Sequence, residues 1–405
     1  MITVLGFDGG PLSEAAADAL ASATLVVGGA RHLAAVPVPQ QARTVVLGSL
    51  ERGLAELSRD RTGRAVVVAS GDPGFFGIVR ALRAAGLHPV VLPAVSSVAL
   101  AFARLGLPWD DALVVSTHGR DLGPAVNVCR SNAKVAVLTG LGAGPAELGA
   151  ALVGSYRTLH VLTALGTPEE DWLECSPEEA ALREWREPNV VLSLAPGSRE
   201  GGEPGGETRW LAGAQPIPPQ WALPEHEYLH RDSMVTKSEV RALVLARLGP
   251  GLGRCVWDVG AGSGSVAVEC ARFGAYAVAI EREAEACARI EGNAGSHGVD
   301  VAVVLGEAPA ALVGLPDPDA VFVGGGGLDA LTAAADRRPG RLVAAFAAMD
   351  HALAARAALG ARGYTTDGVQ LAANRFADLP DDSVRLAATN PVFVIWGVAQ
   401  HGARP

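Results

Sequence analysis

The sequence predicts two different α/β domains in series, and three observations carry that reading. Short β-branched runs alternate with Ala/Leu/Arg-rich helical stretches along most of the chain, the pattern of α/β units with parallel strands. One stretch interrupts it: residues 196–224 hold six prolines and six glycines in 29 positions, a non-globular composition. The pattern before that stretch is not repeated after it, so the halves are two folds and not a duplication. A chain of 405 residues has room for two or three domains. We read residues 1–198 as one domain, 199–224 as a Pro/Gly-rich linker and 225–405 as a second domain.

Taken in order, the first half should place strands at 2–6, 24–27, 65–69, 90–92, 112–116, 134–138, 158–162 and 189–194. The second should place them at 255–259, 276–280, 301–304, 320–323, 341–345, 364–371 and 391–398. The opening "MITVLGFDGG" has no basic leader and reads as the first strand, not a signal peptide. No apolar run nears the ~18 residues of a membrane helix. The best, 135–154, is broken by Pro145, Glu147 and several glycines. The five cysteines, at 129, 175, 255, 270 and 287, show no metal-ligand or paired spacing. They fit a reducing cytosol and argue against a zinc site or a disulfide framework. A net charge of −10 argues against a nucleic-acid partner, because no excess of Lys and Arg is available to neutralise phosphates. We therefore expect a cytoplasmic protein with no membrane or nucleic-acid partner.

The chemistry concentrates in "VWDVGAGSGSVAVE", residues 256–269. Gly260, Gly262 and Gly264 follow a strand and precede a helix beginning near Ser265. Small residues let backbone approach a ligand, and the helix start offers free N–H groups. Gly262-x-Gly264-x-x-Ala267, with Glu281 ending the next strand, also satisfies a nicotinamide-dinucleotide pattern. Two features favour S-adenosylmethionine (SAM) instead. Asp258 stands just before the loop, where it would repel a pyrophosphate but suit a cationic ligand. The strand at 390–397 follows the one at 364–371 too closely for a crossover helix, which implies an antiparallel end to the sheet, typical of SAM-dependent methyltransferases.

The motifs "MVTKSEVRAL", "WDVGAGSGSVAVE", "AIERE", "LGEAPAAL", "VFVGGGG" and "TNPVFVIWG" run in order through residues 225–397. That region resembles the C-terminal methyltransferase half of the decarboxylating precorrin-6Y C5,15-methyltransferases of cobalamin biosynthesis. Residues 1 to 195 carry "VVGGARHL", "ASGDPGFFGI" and "VSSVALAFARLGLPWDDALVVSTHGR", and resemble that family's N-terminal tetrapyrrole-methylase half. The resemblance implies a class III tetrapyrrole-methylase fold followed by a Rossmann-like class I SAM-dependent methyltransferase fold. It also implies two SAM sites per chain, a precorrin substrate and a homo-oligomer. The C-terminal half would methylate C-15 and decarboxylate the ring-C acetate, and the N-terminal half would methylate C-5.

Carried residue by residue, the resemblance puts SAM against Thr236, Gly260, Ala261, Gly262, Ser263, Gly264, Glu281 and Ala308. Glu281 would accept hydrogen bonds from the ribose hydroxyls. Gly325 and Gly326 of "FVGGGG" would leave room for a flat macrocycle. In the N-terminal half Gly71, Asp72, Phe76, Ser96 and Ser97 would meet SAM, with Asp72 capping a helix that starts at 74–76. His118 is a candidate on the substrate side. Arg231, Lys237, Arg241 and Arg375 are candidate anchors for the polycarboxylate, although Asp232 and Glu239 stand beside them. The chain departs from the family in three places. Gly6-Phe7-Asp8-Gly9-Gly10 stands where a G-x-G-P-G loop is usual, Gly140 where many relatives are acidic, and Glu307 where many have Asp. The alternatives are a chain whose N-terminal half only binds substrate or assembles, and an NAD(P)-dependent oxidoreductase. No catalytic acid, base or nucleophile stands out. Methyl transfer needs none, since the sulfonium is already activated and alignment is the main requirement.

Overall fold

The computed structural model describes residues 2–48, 50–60, 63–198, 212–213, 218–231 and 235–400. Most of the expected linker, and Met234 of the "MVTKSEVRAL" motif, lie outside the described residues. The chain forms two compact units, Met1–Leu122 with Ala133–Gly213, and Gly123–Asn132 with Ala214–Pro405.

The first unit holds two sheets. Strands β1 (Ile2–Phe7), β2 (Leu25–Gly28), β3 (Arg43–Val46), β4 (Ala65–Ser70) and β5 (Val90–Leu92) form an all-parallel sheet in the order β3-β2-β4-β1-β5. Its inner strands are apolar on both faces: Val26 and Val66 pack into one core, Val27 and Val67 into the other. Near-continuous apolar runs are what a doubly covered parallel strand requires. The second sheet comprises β6 (Leu113–Ser116), β7 (Lys134–Leu138), β8 (Thr158–Thr163), β9 (Asp171–Cys175) and β10 (Asn189–Leu194), ordered β6-β7-β10-β8-β9. Here the expectation of parallel strands is corrected. Only β6 and β7 run parallel; β10 inserts antiparallel between β7 and β8, and β9 folds back on β8 as a hairpin. The β8–β9 link is too short for a crossover helix, so the return must be antiparallel.

The second unit is one seven-stranded sheet with a small hairpin. Its strands are β11 (Cys255–Val259), β12 (Tyr276–Glu281), β13 (Val301–Leu305), β14 (Ala320–Val323), β15 (Arg341–Phe346), β16 (Tyr364–Leu371), β17 (Asn374–Asp378), β18 (Val384–Ala388) and β19 (Val392–Ala399). The order is β13-β12-β11-β14-β15-β19-β16, with β19 antiparallel to both neighbours. That is the antiparallel end expected from the sequence. Alternation along β11 sends Val256 to one core and Cys255, Trp257 and Val259 to the other.

All fifteen expected strands are present, within two residues at each end. Four others, β3, β9, β17 and β18, were not anticipated. β3 and β9 are short edge strands with one buried residue each, and β17–β18 is an exposed hairpin between β16 and β19. β3, β9 and β17 give no sustained period-2 signal, whereas β18 does carry one in Val384, Leu386 and Ala388 and was missed. Among the described residues no helix is long and apolar enough to cross a membrane. All five cysteines are free and buried.

Candidate functional site

In the second unit the site begins where β11 ends. The chain turns through Gly260, Gly262 and Gly264 at φ +71°, +57° and +71°, a left-handed backbone that favours glycine, and enters the helix Ser265–Arg272. A Cβ on Gly260 would lie 2.5 Å from Cα of Gly325, so two glycine loops meet backbone to backbone.

Side chains from the next elements then fix the loop. The Glu281 carboxylate, at the end of β12, accepts from the N–H of Gly262 (2.8 Å) through one oxygen. Its other oxygen accepts from the N–H groups of Arg282 (2.8 Å) and Glu283 (3.1 Å). Asn293, 1% exposed on the helix Ala284–Ser296, donates to the carbonyls of Ser263 (2.8 Å) and Leu229 (3.0 Å) and accepts from the Leu229 N–H (2.7 Å). Asp258 is buried, and its carboxylate accepts from the N–H of Ala267 (3.0 Å). Burial, reinforced by the charge of Glu281, pushes its carboxyl up to about 7. The sequence argument placed Asp258 at the ligand; the structure makes it a brace for the strand-to-helix turn.

These elements enclose a cleft at the carboxyl edge of β11, β12 and β14. Gly260, Gly262, Ser263, Glu281, Ala308, Gly325 and Gly326 line it, together with Arg231. The structure therefore brings most of the sequence-chosen residues of this half together. Ala261 and Gly264 shape the turn from behind: the Gly264 N–H donates to the Ala261 carbonyl, and a Gly264 Cβ would strike Ile290 at 2.7 Å. Arg282, Glu283, Arg289 and Glu307 also line the cleft. Of these the sequence singled out only Glu307, and only as a departure. Thr236 and Lys237 are not among the lining residues.

Two candidate anchors are corrected. Arg241 is fully buried. It donates to the carbonyls of Thr236 (2.6 Å) and Leu223, lies 3.4 Å from Glu269 and stacks 4.6 Å from the Tyr228 ring centre. A cation so enclosed must be matched inside the protein. Arg375, on β17, is held by the carboxylates of Glu225 (2.7 Å) and Glu239 (2.7 Å), which neutralise it. Those bonds hold Glu225 down to about 2.

The first unit builds its site from backbone contacts. A Cβ on Gly6 would lie 2.1 Å from the Gly71 carbonyl oxygen and 2.4 Å from the Ala94 nitrogen. Gly71, at φ +53°, donates to the Phe7 carbonyl (2.8 Å) and packs against Ser96 and Ser97. Gly9 and Gly166 touch in the same way: a Gly166 Cβ would lie 1.6 Å from the Asp8 carbonyl oxygen. The altered 6–10 loop thus has its own logic, because Asp8 staples it by accepting from Gly10 (3.1 Å) and Val95 (3.3 Å). A recess lies between this loop and residues 92–95.

The polar side chains chosen from the sequence are engaged locally. Asp72 accepts from the Gly74 N–H (2.8 Å), and Ser96 caps the helix Ser97–Leu105 by accepting from Ala99 (3.1 Å). The helix expected at 74–76 starts only at Val79, since tight turns occupy 73–77 and Phe76 sits at φ +54°. Phe76 is 45% exposed. His118 is exposed on the turn after β6, and a Cβ at residue 140 would come within 2.8 Å of its Cα, which accounts for Gly140.

Comparison with known proteins divides the chain in the same way. A tetrapyrrole (corrin/porphyrin) methylase family model matches residues 8–181, and a precorrin methyltransferase domain model matches residues 227–376. A precorrin-6Y C(5,15)-methyltransferase [decarboxylating] from Sinorhizobium sp is 40% identical over 341 residues, 80% of this chain and 78% of the relative. A probable cobalt-precorrin-6B C(15)-methyltransferase (decarboxylating) from Pyrobaculum calidifontis is 37% identical over 174 residues, 41% of this chain and 89% of its own. A cobalt-precorrin-7 C(5)-methyltransferase from Salmonella typhimurium is 32% identical over 203 residues, 48% of this chain and 98% of its own.

Proposed function

Since the chain belongs to the family of decarboxylating precorrin-6Y C5,15-methyltransferases, we propose that it methylates a precorrin at C-5 and C-15 and releases CO₂ from the ring-C acetate. Each half, in this reading, binds its own SAM. The C-terminal half transfers to C-15 and decarboxylates; the N-terminal half transfers to C-5. The working domains are 1–198 and 225–405, joined by 199–224, in a cytoplasmic homo-oligomer. Two half-length relatives, one named for each methylation, support the division.

The observation that carries the reading is the glycine cradle closed by Glu281. Gly260 and Gly262 face the cleft without side chains, and Glu281 is fixed by three N–H groups, two on Oε1 and one on Oε2, while Oε2 keeps a lone-pair site for a ribose hydroxyl. Bound there, SAM would supply an activated methyl group. The chain's task is then alignment: Gly325 and Gly326 would leave space for the macrocycle, and the 260–264 loop would hold the methyl donor. For decarboxylation the protein must leave one carboxylate of the macrocycle poorly paired while anchoring the rest. Mass spectrometry of the product from purified protein, SAM and the reduced precorrin tests the whole proposal. Two methyl gains and one CO₂ loss are expected. A single methyl gain with CO₂ loss would mean that only the C-terminal half is active.

A further inference from the structure

We propose that Arg31 is a carboxylate anchor for the tetrapyrrole in the N-terminal methyl transfer; this rests on the reading that the first unit methylates the macrocycle. Arg31 follows β2, and its Nη2 donates to Oγ of Ser70 (2.8 Å), the last residue of β4. Gly71 and Asp72 of the candidate cofactor loop come next in the chain. The guanidinium is therefore tied to the carboxyl edge of a parallel sheet, directly beside that loop, where ligands of such sheets bind.

Its partners hold it without neutralising it. Nε donates to His32 Nε2 (3.3 Å), and Ser70 Oγ lies 2.9 Å from the same nitrogen. His32 Nε2 must then accept, which makes the ring neutral with its proton on Nδ1. Burial and the adjacent guanidinium agree with this, holding the imidazole down to about 4. Elsewhere in the unit Arg43 and Arg104 pair with carboxylates at close range. Among the described residues none does so with Arg31, and Glu187 acts on it only at longer range. One N–H of Nη2 and that of Nε are used, leaving the rest of the fork for a planar acceptor. A guanidinium so presented fits a carboxylate two-pronged. The substrate class bears several carboxylates and the chain carries a net charge of −10, so a local unpaired cation is what binding requires.

The test uses the full chain and follows C-5 methylation with varied tetrapyrrole. Arg31→Gln should raise KM for the tetrapyrrole about tenfold or more. SAM affinity, C-15 methylation and CO₂ release should be unchanged, and Arg31→Lys should recover part of the loss. Ser70→Ala, which removes a positioning group, should raise the same KM by a smaller factor and leave kcat alone. Esterified tetrapyrrole should bind wild type and Arg31→Gln equally, because the anchored group is then missing from the ligand. An unchanged tetrapyrrole KM in Arg31→Gln overturns the anchor, as does an equal loss of SAM affinity. A wild-type chain that never methylates C-5 defeats the underlying reading instead; direct titration with tetrapyrrole then decides the anchor, which falls if Arg31→Gln binds as well as wild type.

Discussion

Both units turn a buried strand into a glycine loop at the carboxyl edge of a parallel sheet, yet they fix the loop by different means. In the second unit, side chains from other elements hold it: Glu281 from β12, Asn293 from a helix and Asp258 from β11. In the first unit, backbone packs on backbone, Gly6 against Gly71 and Gly9 against Gly166, with the Asp8 carboxylate as an added staple, while Asp72 and Ser96 serve their own turns. The difference teaches where each site is vulnerable. Both should answer to the addition of a single methyl group, and the second should answer to changes of side-chain chemistry as well.

The largest effects should follow from glycines. Gly6→Ala places a Cβ where two backbone atoms already stand, 2.1 and 2.4 Å away, so loop and sheet must part. A displacement of that size should cut C-5 methylation about a hundredfold or more. CO₂ release, measured on the same sample, should persist. Gly260→Ala is the mirror case, with a contact at 2.5 Å and φ +71°, and should remove C-15 methylation and CO₂ release together. If Gly6→Ala leaves C-5 transfer intact, the backbone-built picture of the first site is wrong.

Next in size is a contrast of carboxylates. Glu281→Ala should weaken SAM binding to the C-terminal site roughly ten- to a hundredfold, since charge-assisted bonds are lost. Asp72→Ala should change the N-terminal site only a few-fold, because its side chain holds the Gly74 N–H and the backbone remains. Calorimetric titration of both variants would show equal losses if the contrast is false.

Asp258 provides a pH signature of the side-chain-braced unit. Its carboxyl titrates near 7 when folded against an ordinary 3.8, so the folded state holds a proton that the unfolded chain has released between those values. Stability therefore falls as pH rises from about 4 to 7 and stays lowered above, by a few kcal/mol for this group. Asp258→Asn keeps an acceptor for the Ala267 N–H and should flatten that decline in urea unfolding. Parallel curves for the two proteins would refute the assignment. Arg375→Gln should have the smallest effect on function: tetrapyrrole affinity should stay within about twofold, because Glu225 and Glu239 already neutralise the cation. A tenfold loss would restore it as an anchor.

How much of this was legible depends on the range of the contacts. The 260–264 turn and Glu281 are local: strand, glycines, helix, then the end of the next strand, and periodicity with spacing is enough to find them. Arg241 looks in the sequence like any arginine on a helix, and only the folded chain shows it closed in by Leu223, Tyr228 and Glu269. Asn293 carried no motif, since its partners Ser263 and Leu229 are 30 and 64 residues away. The insertion of β10 between β7 and β8 was equally hidden, because chain order does not dictate strand order. The β17–β18 hairpin escaped because the alternation of Val384, Leu386 and Ala388 is only five residues long and β17 offers no matching run.

The central claim is that each half holds a cofactor site of its own. Equilibrium dialysis of labelled SAM against the whole chain counts those sites directly. The account predicts two SAM bound per wild-type chain at saturation, one in Gly260→Ala and one in Gly6→Ala. One SAM per wild-type chain, abolished by Gly260→Ala and untouched by Gly6→Ala, would contradict it and leave the N-terminal half a binding or assembly module.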